Sequence, residues 1–515
     1  MTKMNPKNTN TNRYKGVSFN RNVQELKGAE QALYEIIVTT LFGKDKFYES
    51  NDETLVRLKD AVNKVVAKGN VDFIANSIVH ARSVMNIRSM PVILTVLLAE
   101  SLRAHNTTYE NMRRLTTDVI QRADQINDLF AYAVNVFGSG KKVPMAIKRG
   151  LADAFNNFGA YAFAKYNRTN GTVKFTDVLR VVHPKAKDVA QAEIFDKLMN
   201  GSRIEQTEAG TLSTPYTWET ELSEAGKTGK SKAKVWTELI KSDKLGYMAL
   251  LRNLRNMIQE GVSTSVMNSV YERLADPEQV VKSKQLPFRF VNAYDAVVGA
   301  PAKMKRAISR AMDASLSNIP SLGDNLWIVV DVSASMDGTW SLRTSDGAAP
   351  INTATLFAAA LAKANAEADN VKITLFSDGA KHASINTDDS VMSIAYKLRK
   401  EVYGGGTNLE AALSEIKTLG FKPDTVVLFS DMQVNRLRGG KSVSSYFDDN
   451  TIKVAIDLTG YASTPVGPMD GWHQLSGWSE RLFDFIPAIK NKSSVTKQLS
   501  VPYLGVAGIK KLHRQ

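Results

Sequence analysis

The periodicity of the chain changes once, near Pro320, and that change requires a fold of two unlike parts. Before it, apolar residues recur at helical spacing in one segment after another: Ala29 to Phe42, Leu55 to Val66, Asp72 to Val84, Val92 to Leu102, Tyr109 to Ile120 and Ile126 to Phe137. Short polar or Gly/Pro breaks separate them. The stretch VPMAIKRGLADAFNNFGAYAFAKYN continues the pattern, with Pro144 in a first helical turn. It places Ile147, Leu151, Phe155 and Phe158 on one face, while Lys148 and Arg149 point away from that face's centre. Consecutive helices of this kind suggest stacked pairs, an α-solenoid, although no clean fixed-period repeat is visible and a globular helical domain stays open. After Pro320, strand-like runs alternate with helix-like ones. LWIVV (326–330), VKITLF (371–376), TVVLF (425–429) and IKVAIDL (452–458) read as strands, and residues 352–368, 391–401 and 409–419 as helices. That alternation predicts a mostly parallel sheet covered by helices on both faces.

The first strand ends in an unusual way. LWIVVDVSASM passes from an apolar run fit for a strand buried on both faces to Asp331, Ser333 and Ser335, spaced by two. Ligands of such sheets bind at the carboxyl ends of strands. Residues two apart point the same way along an extended segment, so one carboxylate and two hydroxyls form a shallow hard-oxygen cup. Such a cup suits Mg²⁺, with Mn²⁺ as the alternative. The plainer reading is that these side chains cap a following helix. The GGGTN loop with Thr407 and the strand end Ser430–Asp431 add oxygen donors in chain order. The constellation resembles the metal-ion-dependent adhesion site of von Willebrand factor A domains. Asp378 also follows a strand, but it precedes the threonine loop, so Asp431 is the better match.

Charge separates the two parts as well. Residues 1–320 hold 46 Lys and Arg against 32 Asp and Glu, and residues 321–515 hold 20 of each, so the whole excess of +14 lies in the first part. Residues 141–190 alone carry 10 basic and 3 acidic side chains. Local concentration of this kind favours a polyanionic partner over a merely soluble surface. The chain has no cysteine, which excludes disulfides and Cys-based zinc sites. No apolar run reaches membrane-spanning length and the polar start lacks a signal-peptide core, so a cytoplasmic protein without a membrane partner is expected. No Ser-His-Asp order, phosphate-binding loop or paired catalytic carboxylates declare an enzyme.

Several phrases of the helical part, VPMAIKRGLADAFNNFGAYAFAKYN, DVLRVVHPKAKD, TPYTWETELS, YMALLRNLRNM and PFRFVNAYDAV, resemble the TROVE module, the family of the Ro autoantigen and its bacterial or phage relatives. The resemblance implies a ring-like α-solenoid of HEAT-like helical repeats (21–319, after a polar tail 1–20) joined to a doubly wound von Willebrand factor A-like domain (320–515). It implies binding of small structured Y-like RNAs on an outer basic surface. It also implies a central hole that accepts single-stranded 3′ ends of misfolded or immature RNA, in RNA quality control, processing or stability. By the same resemblance, Lys165 falls in the patch for structured RNA, with Arg168 standing near the family's second cation. His183 matches the family's histidine, and Lys185 and Lys187 extend the charge. Arg252 and Arg255, three apart and expected on one helix, either line the hole or pair with acids. The expected partners are RNA and, at the metal site, an exoribonuclease or another protein's carboxylate, with the chain itself a monomer. Two rivals remain. One is an A-type adhesion scaffold with a helical spacer, which would have no need of +14 on one half. The other is a metal-dependent nuclease, which would want more clustered carboxylates.

Overall fold

The computed structural model describes residues 28–39, 51–166, 172–200, 216–243, 245–285, 287–297, 299–319, 322, 325–337, 349–365, 370–401, 404–435, 437–438, 442–458, 471–476 and 494–512. The helical part is built from short helices packed in pairs. Asn51–Ala67 and Val71–Ser83 both lie against Ser89–Ala104, which packs in turn on Asp124–Phe137. Met112–Val119 and Met145–Phe155 form the most intimate pair. Gly150 permits that approach, because a Cβ there would overlap the Arg113 carbonyl and the Thr116 side chain. The close crossing also lets the Thr117 hydroxyl donate to the Gly150 carbonyl at 3.1 Å.

The segment after Val143 continues the helical pattern as two helices, so Phe158 does not share a helical face with Ile147, Leu151 and Phe155. Met145–Phe155 ends, a turn carries Phe158, and Ala160–Tyr166 follows. Pro144 is the residue before the first of these, not a member of its first turn. Ile147, Leu151 and Phe155 are fully buried as their spacing requires, and Phe158 reaches the same core from the turn. Phe155 stacks on Phe163 at 5.7 Å, and Phe175 meets Phe163 edge-on at 5.1 Å. Aromatic pairs of this geometry stabilise by about 0.5–1.5 kcal/mol beyond area burial. They lock together the helices 145–155, 160–166 and 175–182.

The second part is a six-stranded sheet in the order β3-β2-β1-β4-β5-β6, with β1 Leu326–Asp331, β2 Val371–Phe376, β3 Ala380–Ala383, β4 Thr425–Ser430, β5 Ile452–Asp457 and β6 Trp472–Ser476. All neighbours are parallel except β3, which runs antiparallel at the edge. Every residue of β1 is buried. Its alternate side chains go to two cores: Leu326, Ile328 and Val330 face the Pro350–Ala364 side, and Trp327 and Val329 the Leu409–Thr418 side. The helix expected over 352–368 runs from Pro350 to Ala364. It ends there because Asn365 turns back, donating to the Leu361 carbonyl at 2.8 Å and accepting the Leu322 N–H at 2.9 Å. Residues 366–369 lie outside the described residues, as do 40–42 of the helix expected to reach Phe42.

The chain closes on itself. Helices Ser494–Leu499 and Gly505–Leu512 pack on Val71–Ser83, and β6 touches the Ala29–Thr39 helix. Among the described residues no helix is long and apolar enough to cross a membrane.

Candidate functional site

The strand order reverses at β1, whose two neighbours β2 and β4 lead away in opposite directions. This opens a crevice at their carboxyl ends. Asp331 is the last residue of β1 and Asp431 follows β4 immediately; both are fully buried. The Asp331 carboxylate accepts the Ser333 N–H at 2.9 Å and the Ser430 hydroxyl at 2.6 Å. Ser333 and Ser335 meet hydroxyl to hydroxyl at 3.1 Å, and the Ser335 hydroxyl also bonds Asp431. They do not converge along an extended segment as the spacing suggested. The strand stops at Asp331, and Ala334–Asp337 form a 3₁₀ turn that swings Ser335 back.

The threonine loop is fixed from below. Gly404 and Gly405 hold positive φ of +67° and +95°, and a Cβ on Gly405 would collide with the Asp378 carboxylate. Asp378 accepts the Gly406 N–H at 2.7 Å, and Asn408 donates to the Asp378 carbonyl at 3.1 Å. Gly405 then offers its carbonyl to the Ala334 N–H at 3.2 Å, and Thr407 its own to the Asn435 N–H at 3.0 Å. The loop that carries Thr407 is thereby joined to both strand ends. Asp378, set aside above as a metal ligand, and Asn408 are organisers of the loop, a role that sequence reasoning did not assign to either; the place of Asp378 after a strand was the one signal.

Electrostatically the site is short of positive charge. Burial first, and the neighbouring Asp431 second, push Asp331 up to about 7; burial also raises Asp431. The groups facing Asp331 among the described residues are hydroxyls, N–H groups and that second carboxylate, not a lysine or arginine. No group of three or more His, Asp and Glu side chains gathers at one point among the described residues. The side chains brought together are the Asp331 and Asp431 carboxylates with the Ser333 and Ser335 hydroxyls, all hard oxygens, a set that fits a cation that keeps some of its waters.

The predicted basic residues lie on the helical part. Lys185 and Lys187 are exposed in the loop after helix Phe175–Val182, and Asn156 holds that loop in place. Its amide donates to the Lys185 carbonyl at 3.0 Å and accepts the Lys187 N–H at 2.9 Å. The Lys187 ammonium returns to the Asn156 carbonyl at 2.8 Å. His183 is exposed and ends the helix in a left-handed conformation, φ +45°, with its N–H on the Leu179 carbonyl at 3.0 Å. Glycine takes that conformation more readily, so the imidazole is kept there against backbone preference. Lys165 is exposed, 5.8 Å above each of the Tyr161 and Tyr166 rings. Lys148 is half-buried and donates to the Lys141 carbonyl at 2.9 Å, whereas Arg149 is exposed. Arg168 lies outside the described residues. Arg252 and Arg255 are exposed but do not share one helix. Tyr247–Arg252 and Leu254–Gln259 are separate, broken at Asn253. The buried Asn253 amide bonds the Ala249 carbonyl at 2.8 Å, a local side-chain bond that competes with continuation of the helix.

Comparison with known proteins agrees with this architecture. The TROVE domain family model matches residues 199–348 and the von Willebrand factor type A domain model residues 326–433. Telomerase protein component 1 of Mus musculus and that of Rattus norvegicus are each 26% identical over 360 residues, 56% of this chain. The match spans only 13% of the length of those proteins. The crystal structure of the Deinococcus radiodurans Ro protein superposes with a TM-score of 0.66 at 16% identity, covering 89% of this chain and 99% of that one. At that identity the likeness is one of fold.

Proposed function

We propose that this chain, in which a TROVE domain runs into a von Willebrand factor type A domain, is an RNA-binding protein of the Ro kind and not an enzyme. The helical part, residues 21–319, binds small structured Y-like RNA on its exposed basic surface and single-stranded 3′ ends in a central hole. It thereby serves RNA quality control, processing or stability. Residues 320–515 form the A-type part, where Asp331, Asp431, Ser333, Ser335 and Thr407 would hold Mg²⁺ or Mn²⁺. When bound, the ion supplies a Lewis-acid contact for a carboxylate oxygen of a protein partner such as an exoribonuclease. The serines and the glycine loop keep the donors in place.

One observation carries the RNA reading. His183, Lys185 and Lys187 form an exposed basic row, its Lys185–Lys187 stretch fastened by Asn156, in the half of the chain that owns all the excess positive charge. Lys and Arg side chains neutralise phosphates, and an imidazole hydrogen-bonds or stacks at an unpaired base. Filter binding of a hairpin RNA tests it. Affinity should fall with salt, with a log–log slope of about −0.7 to −0.9 per neutralised phosphate. The double variant His183→Ala/Lys185→Ala should bind more weakly with a shallower slope. A curve indifferent to salt between about 50 and 200 mM would defeat the proposal.

A further inference from the structure

Three arginines, Arg82 and Arg88 close in sequence and Arg122 some way on, are gathered by one buried amide. Gln125 is 3% exposed. Its carbonyl oxygen accepts from the Arg82 guanidinium at 3.1 Å and from the backbone N–H of Arg122 at 3.0 Å, and its amide donates to the Arg88 carbonyl at 3.2 Å. The Arg122 guanidinium holds Asp124 in a two-point bond of 3.1 and 2.6 Å and lies over the Tyr166 ring at 4.9 Å. Lys165 stands between that ring and Tyr161, which is 55% exposed. The result is a continuous track of Arg88, Arg122, Tyr166, Lys165 and Tyr161, with Arg82 buried beneath it.

The track is out of electrostatic balance. Arg82 is pushed down to about 10 by burial and then by the charges of Arg88 and Arg122. Arg88 is lowered by burial, then by Arg122, with Arg289 of helix Pro287–Ala296 adding to the effect. Asp124 is the one carboxylate of the described residues that acts on Arg82 and Arg88. Like charges brought together with a single counter-charge destabilise the fold unless an anion completes the site. An exposed tyrosine face beside that anion site is a surface on which a flat base can lie, and only an unstacked base can reach it.

We propose that this track binds an unpaired nucleotide of single-stranded RNA, with Arg88 and Arg122 on the phosphate and the base laid on Tyr161. The inference rests on the RNA-binding reading and adds to it a subsite and a ligand form. Arg82 and Gln125 are positioning residues, since they shape the field and hold the arginines without reaching the surface.

Fluorescence anisotropy on the full chain, with labelled octauridine and a blunt hairpin RNA as probes, tests the assignment. Tyr161→Leu should weaken octauridine binding about tenfold or more, the loss expected for one base–aromatic stack, and leave the hairpin within about twofold. Tyr161→Phe should retain octauridine affinity, because the stacking face remains. Arg88→Ala should weaken octauridine and lower its salt slope by about 0.7. Tyr161 and Arg88 are exposed, so the Tyr161 variants should melt with the wild type and Arg88→Ala, relieved of like-charge crowding, no lower than it, which shows that the variants fold. Unchanged octauridine affinity in Tyr161→Leu, or equal losses for both probes, would overturn the assignment. So would an acidic peptide that competes as well as the RNA. A wild type that binds the hairpin but not octauridine removes this inference alone; one that binds neither removes the RNA reading with it.

Discussion

Asn76→Ala should unfasten the two ends of the chain from one another. Asn76 sits in helix Val71–Ser83 with no exposed surface. Its amide donates to the carbonyls of Leu499 and Val501 at 3.0 and 2.9 Å, and its oxygen accepts the Leu504 N–H at 2.9 Å. One side chain thus satisfies three backbone groups of a segment more than 420 residues away. Around it, the Tyr503 hydroxyl donates to Asp118 at 2.8 Å, and Arg114 lies over the Tyr503 ring at 5.2 Å. Truncation removes three hydrogen bonds at about 1 kcal/mol each, the lower figure being apt because Val501 and Leu504 are partly exposed and water can take over some of the load. About 3 kcal/mol corresponds to a factor of about 100 in the local opening equilibrium. Hydrogen exchange followed by mass spectrometry should therefore show amides of the Gly505–Leu512 helix exchanging about 100-fold faster, while β1 and β4 keep their protection. Unchanged exchange across 505–512 in the variant would refute the claim that Asn76 fastens the two ends.

Two predictions concern the strand-end site. Asp331→Asn keeps an acceptor for the Ser333 N–H but removes the charge, so it should abolish the rise in Tm that Mg²⁺ gives the wild type, about 2.7 kcal/mol at 100-fold excess over Kd, without lowering the metal-free Tm. A Mg²⁺-induced rise that survives in Asp331→Asn would show that the ion binds elsewhere. The pH dependence has a definite sign: the folded value of Asp331, about 7, stands above its ordinary 3.8, so between those values the folded state binds a proton that the unfolded state has lost. Stability from this group is therefore full at low pH and lost as pH rises to 7. Relative to Asp331→Asn, the metal-free wild type should gain stability on acidification from pH 7 towards 5, and its response to Mg²⁺ should fade over the same interval. Parallel stability curves for the two proteins would contradict that shift.

What the sequence disclosed and what it hid divide along a physical line. Strands β1, β2, β4 and β5 were legible because a strand buried on both faces must be apolar throughout, and few other elements produce LWIVV or TVVLF. Asp331, Ser333, Ser335 and Asp431 were legible for the opposite reason, as polar residues where such strands stop. Edge strand β3, AKHA, was not, because an antiparallel edge needs no apolar run. The break at Asn253 was invisible because LLRNLRNM has unbroken helical spacing, and what accompanies the break is a local bond from the buried Asn253 amide to the Ala249 carbonyl. Gln125 and Asn76 were the hardest to see. A buried amide on a helix looks like any polar residue until the chain brings its partners to it, and those partners are backbone groups that carry no sequence signature. The two halves of the molecule thus expose different evidence: the sheet announces its strand-end cluster through composition, whereas the helical part hides the cluster around Gln125 in which helix ends meet. That is why charge counting located the basic region but Lys165 alone of the arginine–tyrosine track was singled out.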